Sequence, residues 1–383
     1  MKIGIDIQCL TRPLTGVGYY TLGLLEGLAN LAEADEVTPF YFSFRNQVDL
    51  PPVVYKEMAP RDRKIPGRLL SLGWKRLGFP PVEWLIRGMD VYHFPDFIAR
   101  PVRRKPVITT VYDLSFKRFP EFTEVRNLKY LKSSLPGSLE RSDRIIVISR
   151  FTRDELTSLY PVSPGKVVVI EGGIDDSFRQ SLTADELLRT RYRFYLPKKY
   201  LLTVGTWEPR KNLVRLLEAW DSLRSEGKLG DYKLVLVGLK GWLCGEIEQK
   251  FRDQAGQRGV MALGYVPRSA LPAVYRCASG FIFPSLYEGQ GLPPLEAMAS
   301  GVPVAAARAG SLPEMLGEAA LYFDPTEPVE IARAIEAILT RPELGAELVE
   351  KGKRQSTRFT WERAARMTLD VYRGAAGLGA APG

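Results

Sequence analysis

The sequence predicts an α/β chain with two domains, each built on a parallel sheet that helices cover on both faces. Short β-branched or aromatic runs alternate with helical segments, and this alternation begins a second time near the middle of the chain. The length of 383 residues is sufficient for two such domains. Ligands of parallel sheets bind beyond the carboxyl ends of the strands, so we expect functional residues in the loops that follow the strands.

Apolar runs in both halves of the chain are predicted to be strands. They are Lys2–Ile7, Thr38–Phe44, Val107–Val111, Arg144–Ile148, Tyr200–Val204, Lys233–Val237, Gly259–Leu263, Gly280–Phe283 and Val302–Ala305. Helical periodicity is clearest over Asn212–Glu226, where the apolar residues share one stripe and Gly227 follows as a stop signal. Gly172, Gly173 and the polar stretch up to Lys199 separate the two sets of strands. We therefore expect domains at 1–172 and 173–383.

Composition is that of a soluble globular protein, with 45% apolar and 25% charged residues. The three cysteines, Cys9, Cys244 and Cys277, lie far apart and form no zinc or redox spacing, so we expect reduced thiols. No Asp-x-Asp, zinc or calcium pattern occurs, and we expect neither a metal nor an organic cofactor. No secretory signal or long apolar span is visible, which predicts a cytoplasmic location.

Positive charge is concentrated in one region. The formal net charge is +9, and the residues from Pro51 to Lys105 include 12 Lys and Arg against 5 Asp and Glu. Such an excess favours nucleic acid, anionic lipid or a phosphorylated acceptor as a partner, or else it is a solvated surface. The stretch Ile65–Phe79 mixes Trp and Leu with Lys and Arg. It fits either peripheral contact with the inner face of an anionic membrane or a helix packed on the first domain.

Two carboxylates bracket a loop that is suited to an activated sugar. A predicted strand ends at Pro284, and a glycine-containing loop leads to a helix that Pro293 and Pro294 can begin. Glu288 and Glu296 stand at the two ends of this loop, with seven residues between them. The helix N-terminus between them suits phosphate, while the carboxylates can accept hydrogen bonds from hexose and ribose hydroxyls. The alternative is that Glu296 only complements the helix dipole and Glu288 is a solvated loop residue.

This segment and its neighbours resemble the donor-binding half of glycosyltransferase family 4. The matching motifs run in the family's order along nearly the whole chain. They are Gly205–Asn212, Leu263–Pro267, Pro284–Glu288, Leu292–Ala299 and Pro313–Gly317, with weaker matches at Thr15–Gly18, Val111–Leu114 and Ile148–Thr152. The resemblance implies the GT-B fold, with two Rossmann-like α/β domains facing across a cleft. The first domain would bind the acceptor and the second the nucleotide sugar, and the last helix, about 359–375, would return to the first domain.

The resemblance also implies residue roles. Glu288 would contact the donor hexose and Glu296 the ribose, while Arg210 and Lys211 would grip the diphosphate, where fixed cations stabilise the leaving group. The alternative for the two cations is exposed charge in the first turn of a helix. Asp113 joins Glu288, Arg210 and Lys211 as a catalytic residue. The other predicted donor-binding residues are Gly16, Gly18, Thr206, Gly238, Lys240, Tyr265, Val266, Gly289, Gln290, Gly291 and Leu292.

Several of these assignments have structural alternatives. Gly16 and Gly18 precede a helix expected to start near Tyr19, and a simple turn would explain them almost as well as a ligand. Core packing would explain Tyr265 and Trp242, in the loops predicted to meet the base, about as well as ligand binding.

Three positions bear on activity and specificity. Tyr112 stands where many relatives have a histidine, and a tyrosine cannot shuttle protons near neutral pH. The one histidine, His93, matches a histidine of relatives, and a structural role is favoured over catalysis; both residues are assigned to the acceptor side. Gln290 replaces an aromatic residue that is usual in the family. Sugar specificity, and for Tyr112 full activity, therefore stay open.

The implied function is a retaining, metal-independent hexosyltransferase of cell-surface polysaccharide or lipopolysaccharide synthesis. The stretch Thr206–Asn212 is similar to mannosyltransferase members, which favours GDP-mannose as donor and a glycan or lipid-linked acceptor. Three alternatives stay open: a UDP-sugar-dependent glucosyl or N-acetylhexosaminyl transferase, a nucleotide-sugar epimerase, and a catalytically weak binding subunit. A nucleic-acid binder is disfavoured, because no recognised motif accompanies the basic region.

Overall fold

The structure is a computed structural model that describes residues 1–11, 14–31, 35–43, 50–66, 70, 72–74, 77–255 and 259–378. The chain divides into two compact units. Unit 1 comprises Met1–Leu114, Arg126–Gly173 and Phe359–Gly383, and unit 2 comprises Ser115–Val125 and Ile174–Arg358. The end of the chain therefore belongs with its beginning. Unit 2 also includes Ser115–Val125, a segment that lies inside the first of the two predicted domains.

Elements are numbered along the chain over the described residues. The strands are β1 Lys2–Asp6, β2 Glu36–Phe42, β3 Arg61–Arg63, β4 Val91–Phe94, β5 Val107–Val111, β6 Arg144–Val147, β7 Val167–Val169, β8 Tyr200–Val204, β9 Lys233–Val237, β10 Val260–Gly264, β11 Gly280–Phe283, β12 Val304–Ala307 and β13 Ala320–Phe323. The helices are α1 Gly16–Asn30, α2 Pro52–Glu57, α3 Val82–Leu85, α4 Ser115–Arg118, α5 Val125–Arg141, α6 Arg150–Leu159, α7 Ala184–Arg193, α8 Leu213–Ser225, α9 Gly245–Gln254, α10 Leu271–Arg276, α11 Leu292–Ala299, α12 Leu312–Leu316, α13 Pro328–Thr340, α14 Pro342–Ser356 and α15 Trp361–Ala375. None of the helices described is both long and apolar enough to cross a bilayer.

Each unit contains one parallel sheet, so the predicted α/β class is confirmed. The strand order over the described residues is β3-β2-β1-β4-β5-β6-β7 in unit 1 and β10-β9-β8-β11-β12-β13 in unit 2. In both sheets the first strand lies in the middle. The next strands along the chain add to one side of it, and the later strands add to the other side. The order reverses between β1 and β4 in unit 1 and between β8 and β11 in unit 2. Such switch points leave a crevice at the carboxyl ends of the strands, where ligands bind.

The central strands are apolar because both of their faces are covered. The core strands β5 and β11 are buried along their whole length, as expected for a sheet between two layers of helices. Four strands were not predicted. β3 is a polar three-residue strand at the edge of its sheet, and β4, β7 and β13 contain only three or four residues. Of residues 65–79 the structure describes all but 67–69, 71, 75 and 76. Leu70 is buried in a core of unit 1 and Trp74 packs against that core, which favours the alternative of a helix packed on the first domain for this part of the stretch.

The last helix packs on the first helix of unit 1 at a contact that requires glycine. A Cβ atom on Gly23 would overlap the ring of Trp361, and one on Gly27 would lie 2.5 Å from the Trp361 carbonyl oxygen. These two glycines stand one helical turn apart on α1, so α15 approaches the backbone of α1 directly. The apolar face of α15, including Ala365 and Leu369, joins the core of unit 1. The predicted return of the last helix to the first domain is confirmed.

We expect Gly23→Ala to lower the free energy of unfolding by about 1–3 kcal/mol, because the added methyl group must displace the Trp361 ring. Urea-induced unfolding, followed by circular dichroism, measures the change. Gly345→Ala is the matched control, because a Cβ on this glycine of α14 meets no atom within 4 Å. That control should be neutral or slightly stabilising. An unchanged unfolding midpoint for Gly23→Ala would contradict the close packing of the two helices.

Candidate functional site

The candidate site lies at the switch point of the sheet in unit 2. The loops that follow β8 and β11 begin at adjacent strands. They carry the two motifs that the sequence analysis singled out, Gly205–Asn212 and Pro284–Glu288. A pocket opens between the ends of these strands. Its lining is Thr203, Val204, Gly205, Trp207, Lys211, Leu213, Leu236, Val237, Phe283 and Pro284.

A tight turn fixes the loop that follows β8. Pro209–Lys211 forms a single 3-10 turn, and Asn212 adopts a left-handed conformation with φ of 57° before α8 begins. The buried amide of Asn212 donates hydrogen bonds to the carbonyl oxygens of Pro284, at 3.1 Å, and Pro325, at 2.7 Å. The loop after β8 is therefore bonded to the end of β11. Arg210 and Lys211 lie in this turn rather than in the first turn of α8.

Glu288 is the centre of the contacts between the two loops. Its Oε1 accepts hydrogen bonds from Lys211 Nζ at 2.5 Å and Ser285 Oγ at 2.6 Å, and its Oε2 lies 3.1 Å from Arg210 Nη1. Glu288 is 8% exposed, so the alternative of a solvated loop residue is wrong. Burial acts to raise the pKa of Glu288, but the charges of Lys211 and Arg210 outweigh it and lower the pKa to about 2. Glu288 is therefore ionised at neutral pH.

A second buried carboxylate holds Arg210. Glu208 is 2% exposed, and its Oε1 lies 2.6 Å from Arg210 Nη2. Arg210 Nη1 also donates to the Tyr287 carbonyl oxygen at 2.7 Å. The guanidinium is thus bonded to groups on both loops, and it links Glu208 to Glu288. The side chains of Arg210 and Lys211 are only 16% and 13% exposed, so the alternative of exposed surface charge is wrong for both.

The loop after β12 packs against the backbone of Glu288. Gly310 has φ of +56°, and a Cβ at this position would lie 2.7 Å from both the backbone nitrogen and the carbonyl oxygen of Glu288. Ser311 N donates to that carbonyl oxygen at 3.1 Å. A side chain at position 310 would therefore displace Glu288, which explains why glycine stands there.

The helix that follows Glu288 begins as predicted. Gly291 caps α11 in a left-handed conformation with φ of 81°, and α11 starts at Leu292 with prolines in its first turn. Gln290 is 3% exposed and therefore buried. The loop formed by Gly289, Gln290 and Gly291 places the N-terminus of α11 one short segment away from Glu288. This arrangement is suited to a ligand with an anionic centre.

Glu296 lies on α11 in a buried environment of its own. Its Oε1 is 3.1 Å from Arg268 Nη1, and its Oε2 accepts a hydrogen bond from the Tyr275 hydroxyl at 3.2 Å. Burial raises the pKa of Glu296, although the charge of Arg268 opposes this. Asp175 Oδ2 lies 3.7 Å from Arg268 Nε on its other side. Glu296 therefore has specific side-chain partners, beyond any interaction with the helix dipole.

The residues predicted to meet a base are mostly accessible. Tyr265 is 59% exposed and Trp242 is 41% exposed, so core packing, the structural alternative for both, is wrong. Val266 is buried. Lys240 Nζ forms an ion pair with Glu248 at 2.7 Å and remains largely exposed. Thr206 is exposed, and Gly238 approaches Gly205 so closely that a Cβ would overlap the Gly205 carbonyl oxygen.

The predicted residues of unit 1 belong to the unit's own packing. His93 is fully buried, with Nδ1 at 2.6 Å from the Tyr372 hydroxyl and Nε2 at 2.8 Å from Thr110 Oγ1, and burial lowers its pKa to about 3. Tyr112 is 7% exposed, and its hydroxyl donates to the Pro95 carbonyl oxygen at 2.7 Å. Both side chains are therefore buried and hydrogen-bonded within unit 1, and their placement on the acceptor side stays a prediction. Asp113 is half-buried just beyond β5.

Helix α1 begins earlier than expected. It starts at Gly16 rather than near Tyr19, because Tyr19 N already bonds to the Thr15 carbonyl oxygen at 2.9 Å and so closes the first turn. Gly16 and Gly18 are therefore helical residues at the N-terminus of α1 and not part of the preceding loop.

Sequence reasoning missed four residues that shape this site: Glu208, Ser285, Arg268 and Gly310. Glu208 and Ser285 lie inside motifs that were recognised, and an acid two residues before Arg210 was a usable signal. Arg268 and Gly310 meet their partners only through the fold. The cysteines are free thiols, and within the described part of the chain no group of three or more His, Cys, Asp or Glu residues could hold a metal ion.

Comparison with known families finds a match in each half of the chain. Residues 14–178 match the family described as Glycosyltransferase Family 4, and residues 185–355 match Glycosyl transferases group 1. The chain is 32% identical over 386 residues to O-antigen chain mannosyltransferase B of Escherichia coli, with 97% of this chain and 100% of that protein covered.

A larger relative and a solved structure match as well. The chain is 29% identical over 242 residues to the serotype-specific mannosyltransferase WbdA of Escherichia coli, covering 62% of this chain but only 29% of that relative. The structure of sucrose-phosphate synthase from Thermosynechococcus elongatus aligns with a TM-score of 0.77 and 20% identity, over 99% of this chain and 100% of that one. At that identity the likeness shows the fold alone.

We expect Lys211→Met to lower the free energy of unfolding by about 3–5 kcal/mol at neutral pH, because it leaves Glu288 buried with one cation fewer. The pair stabilises the fold fully above the ordinary pKa of Glu288 and progressively less as the pH falls toward about 2. The difference from wild type should therefore shrink on acidification, measured by urea unfolding at several pH values. Lys228→Met, which breaks surface ion pairs with Glu226 and Glu336, is the control and should change stability little. A pH-independent difference would contradict the role of the ion pair.

Proposed function

Since this chain belongs to glycosyltransferase family 4 and has the GT-B fold, we propose that it transfers mannose from GDP-mannose to a glycan or lipid-linked acceptor. The product would be a cell-surface polysaccharide or lipopolysaccharide. Support for mannose comes from the relatives, two of which are named as mannosyltransferases. The observation that carries the proposed chemistry is the 2.5 Å contact between Lys211 and Glu288 at the strand switch point.

The residues of this site supply groups suited to each part of a nucleotide sugar. An ionised Glu288 is an acceptor for hexose hydroxyls, and Glu296 serves the ribose in the same way. Lys211, Arg210 and the N-terminus of α11 supply positive charge and N–H donors between these two carboxylates. This positive charge stabilises the transition state more than the bound substrate, because the diphosphate gains negative charge as it leaves.

We propose a front-face substitution that retains the anomeric configuration. The bond between the anomeric carbon and the diphosphate oxygen breaks, the acceptor oxygen bonds to the same face of that carbon, and the departing diphosphate takes the acceptor proton. The alternative, a covalent intermediate, needs a free carboxylate as nucleophile. Both oxygens of Glu288 are bound to cations or a hydroxyl donor, which disfavours that role. Lys211 and Arg210 supply the charge that a metal would otherwise bring, which supports a metal-independent reaction.

The proposed place of the reaction is the cytoplasmic face of the membrane. A lipid-linked acceptor is held there, and the sugar nucleotide is supplied from the cytoplasm. The basic region of unit 1 provides charge of the sign that an anionic membrane surface attracts.

Donor identity can be tested by thermal shift. We expect GDP-mannose to raise the melting temperature, while UDP-glucose and UDP-N-acetylglucosamine do not at the same concentration. Binding to the folded state alone stabilises it by about 2.7 kcal/mol at a ligand concentration 100 times Kd. The shift should be lost in Glu296→Ala, which removes the proposed ribose contact. A larger shift with a UDP-sugar would replace the mannose proposal with the UDP-sugar alternative.

Turnover should depend on the charge of Glu288. We expect Glu288→Gln to lower kcat by roughly 100- to 1,000-fold, because the amide keeps the size of the side chain but loses the charge that organises Lys211 and Arg210. The assay follows release of GDP from GDP-mannose with membrane lipid extract as acceptor, and the anomer of the product is read by NMR. Glu336→Gln, a surface variant on α13, is the control. Turnover of Glu288→Gln at the wild-type rate would remove this site from the mechanism.

A further inference from the structure

We propose that unit 1 docks on an anionic lipid bilayer through a surface centred on Trp84. This Trp84 surface consists of Phe79, Trp84, Arg63, Arg87, Arg103 and Arg104. The inference deepens the proposed membrane location by naming the residues that would meet the lipid. It requires no assumption about which donor unit 2 binds.

Two aromatic side chains project from this surface. Trp84 is 54% exposed and Phe79 is 45% exposed, and their rings meet edge to face with centroids 5.4 Å apart. Leu77, two residues before Phe79, is 76% exposed. Large apolar side chains that cluster on a surface mark contact with another apolar phase more often than those that occur singly.

The short helix α3 holds Trp84 outward. Val82, within α3, and Ile86, directly after it, are fully buried in a second core of unit 1. These two residues lie one helical turn apart, so they anchor the helix on one side. Trp84 stands midway between them and faces solvent. The exposed ring is therefore carried by a fixed element.

Four arginines lie beside α3, and hydrogen bonds place them there. Arg63 Nε donates to the Leu85 carbonyl oxygen at 2.8 Å, and Arg87 Nε donates to that of Trp84 at 3.3 Å. The backbone nitrogens of Arg103 and Arg104 donate to Glu83 Oε1 at 2.8 and 3.1 Å, which puts both residues beside α3. All four arginines are exposed.

The combination of aromatic rings and arginines matches the interface of an anionic membrane. Tryptophan and phenylalanine insert at the boundary between headgroups and acyl chains, while arginines reach lipid phosphates. Each cation near such a surface strengthens binding by roughly fivefold, and added salt weakens it. Two half-buried acids accompany the four arginines: Asp62, next to Arg63 in sequence, and Glu83, which accepts two backbone hydrogen bonds. The four arginines outnumber these two acids, so the surface keeps an excess of positive charge.

Vesicle flotation tests the proposal. The full chain should float with vesicles that contain phosphatidylglycerol at low salt, separate from them at high salt, and stay unbound with pure phosphatidylcholine. A wild-type chain that fails to float on anionic vesicles would overturn the proposal. Donor-induced thermal shifts are measured on the same preparation, so a failure of the mannosyltransferase proposal is seen separately from a failure to bind lipid.

Two variants separate the aromatic and the charged contributions. One double variant is Phe79→Ala/Trp84→Ala and the other is Arg103→Gln/Arg104→Gln. Each should lower the partition coefficient of the protein onto anionic vesicles by at least about tenfold. Their matched controls in unit 2 are Leu188→Ala/Tyr192→Ala, at 50% and 73% exposure, and Arg189→Gln/Arg193→Gln. The controls should float like wild type, and circular dichroism checks that every variant folds.

Other outcomes identify a different surface or partner. Equal loss in the control pairs would show that binding follows general charge and would overturn the assignment to Trp84. Flotation of both test variants at the wild-type level would also overturn the assignment to Trp84. If a single-stranded oligonucleotide bound more tightly than anionic vesicles and the same two variants lost it, the surface would serve nucleic acid, and the lipid proposal would be wrong.

Discussion

The ion pair between Lys211 and Glu288 is the interaction on which the candidate site depends. A buried carboxylate is costly unless cations and donors surround it. Here Lys211, Arg210 and Ser285 share that task, and they come from two loops that leave adjacent strands. The requirement to compensate one buried charge therefore fixes the spacing of both loops.

The two acids of the motif occupy opposite electrostatic environments. In both cases burial acts to raise the pKa, but at Glu288 two cations and two hydrogen bonds reverse the shift, whereas at Glu296 the single Arg268 does not. Two glutamates thereby have pKa values shifted in opposite directions, which is a common way to give two carboxylates different roles. Glu288 is a permanent anion at neutral pH. The pKa of Glu296 is raised by burial, and the charge of Arg268 limits that rise.

The parallel sheets and the two loops could be predicted because hydrophobic periodicity and short motifs are local properties of the sequence. It missed β3, whose Arg61-Asp62-Arg63 carries no apolar signal, and it began α1 too late because glycines at a helix N-terminus look like a turn. It could not find the ion pair of Lys211 with Glu288, because the two positions lie 77 residues apart and meet only through the fold. For His93 the sequence favoured a structural role, and its burial against Tyr372 of α15 agrees with that expectation.

The packing of α15 against α1 has a consequence for how the protein is made. Residues 1–173 leave the ribosome long before Trp361, yet the core of unit 1 includes Ala365, Leu369 and Tyr372. During synthesis this core stays open on one side until all of unit 2 has been translated. Unit 2, which is nearly continuous in sequence, can complete its sheet first. The face of α1 that receives α15 is therefore the last part of this core to be covered.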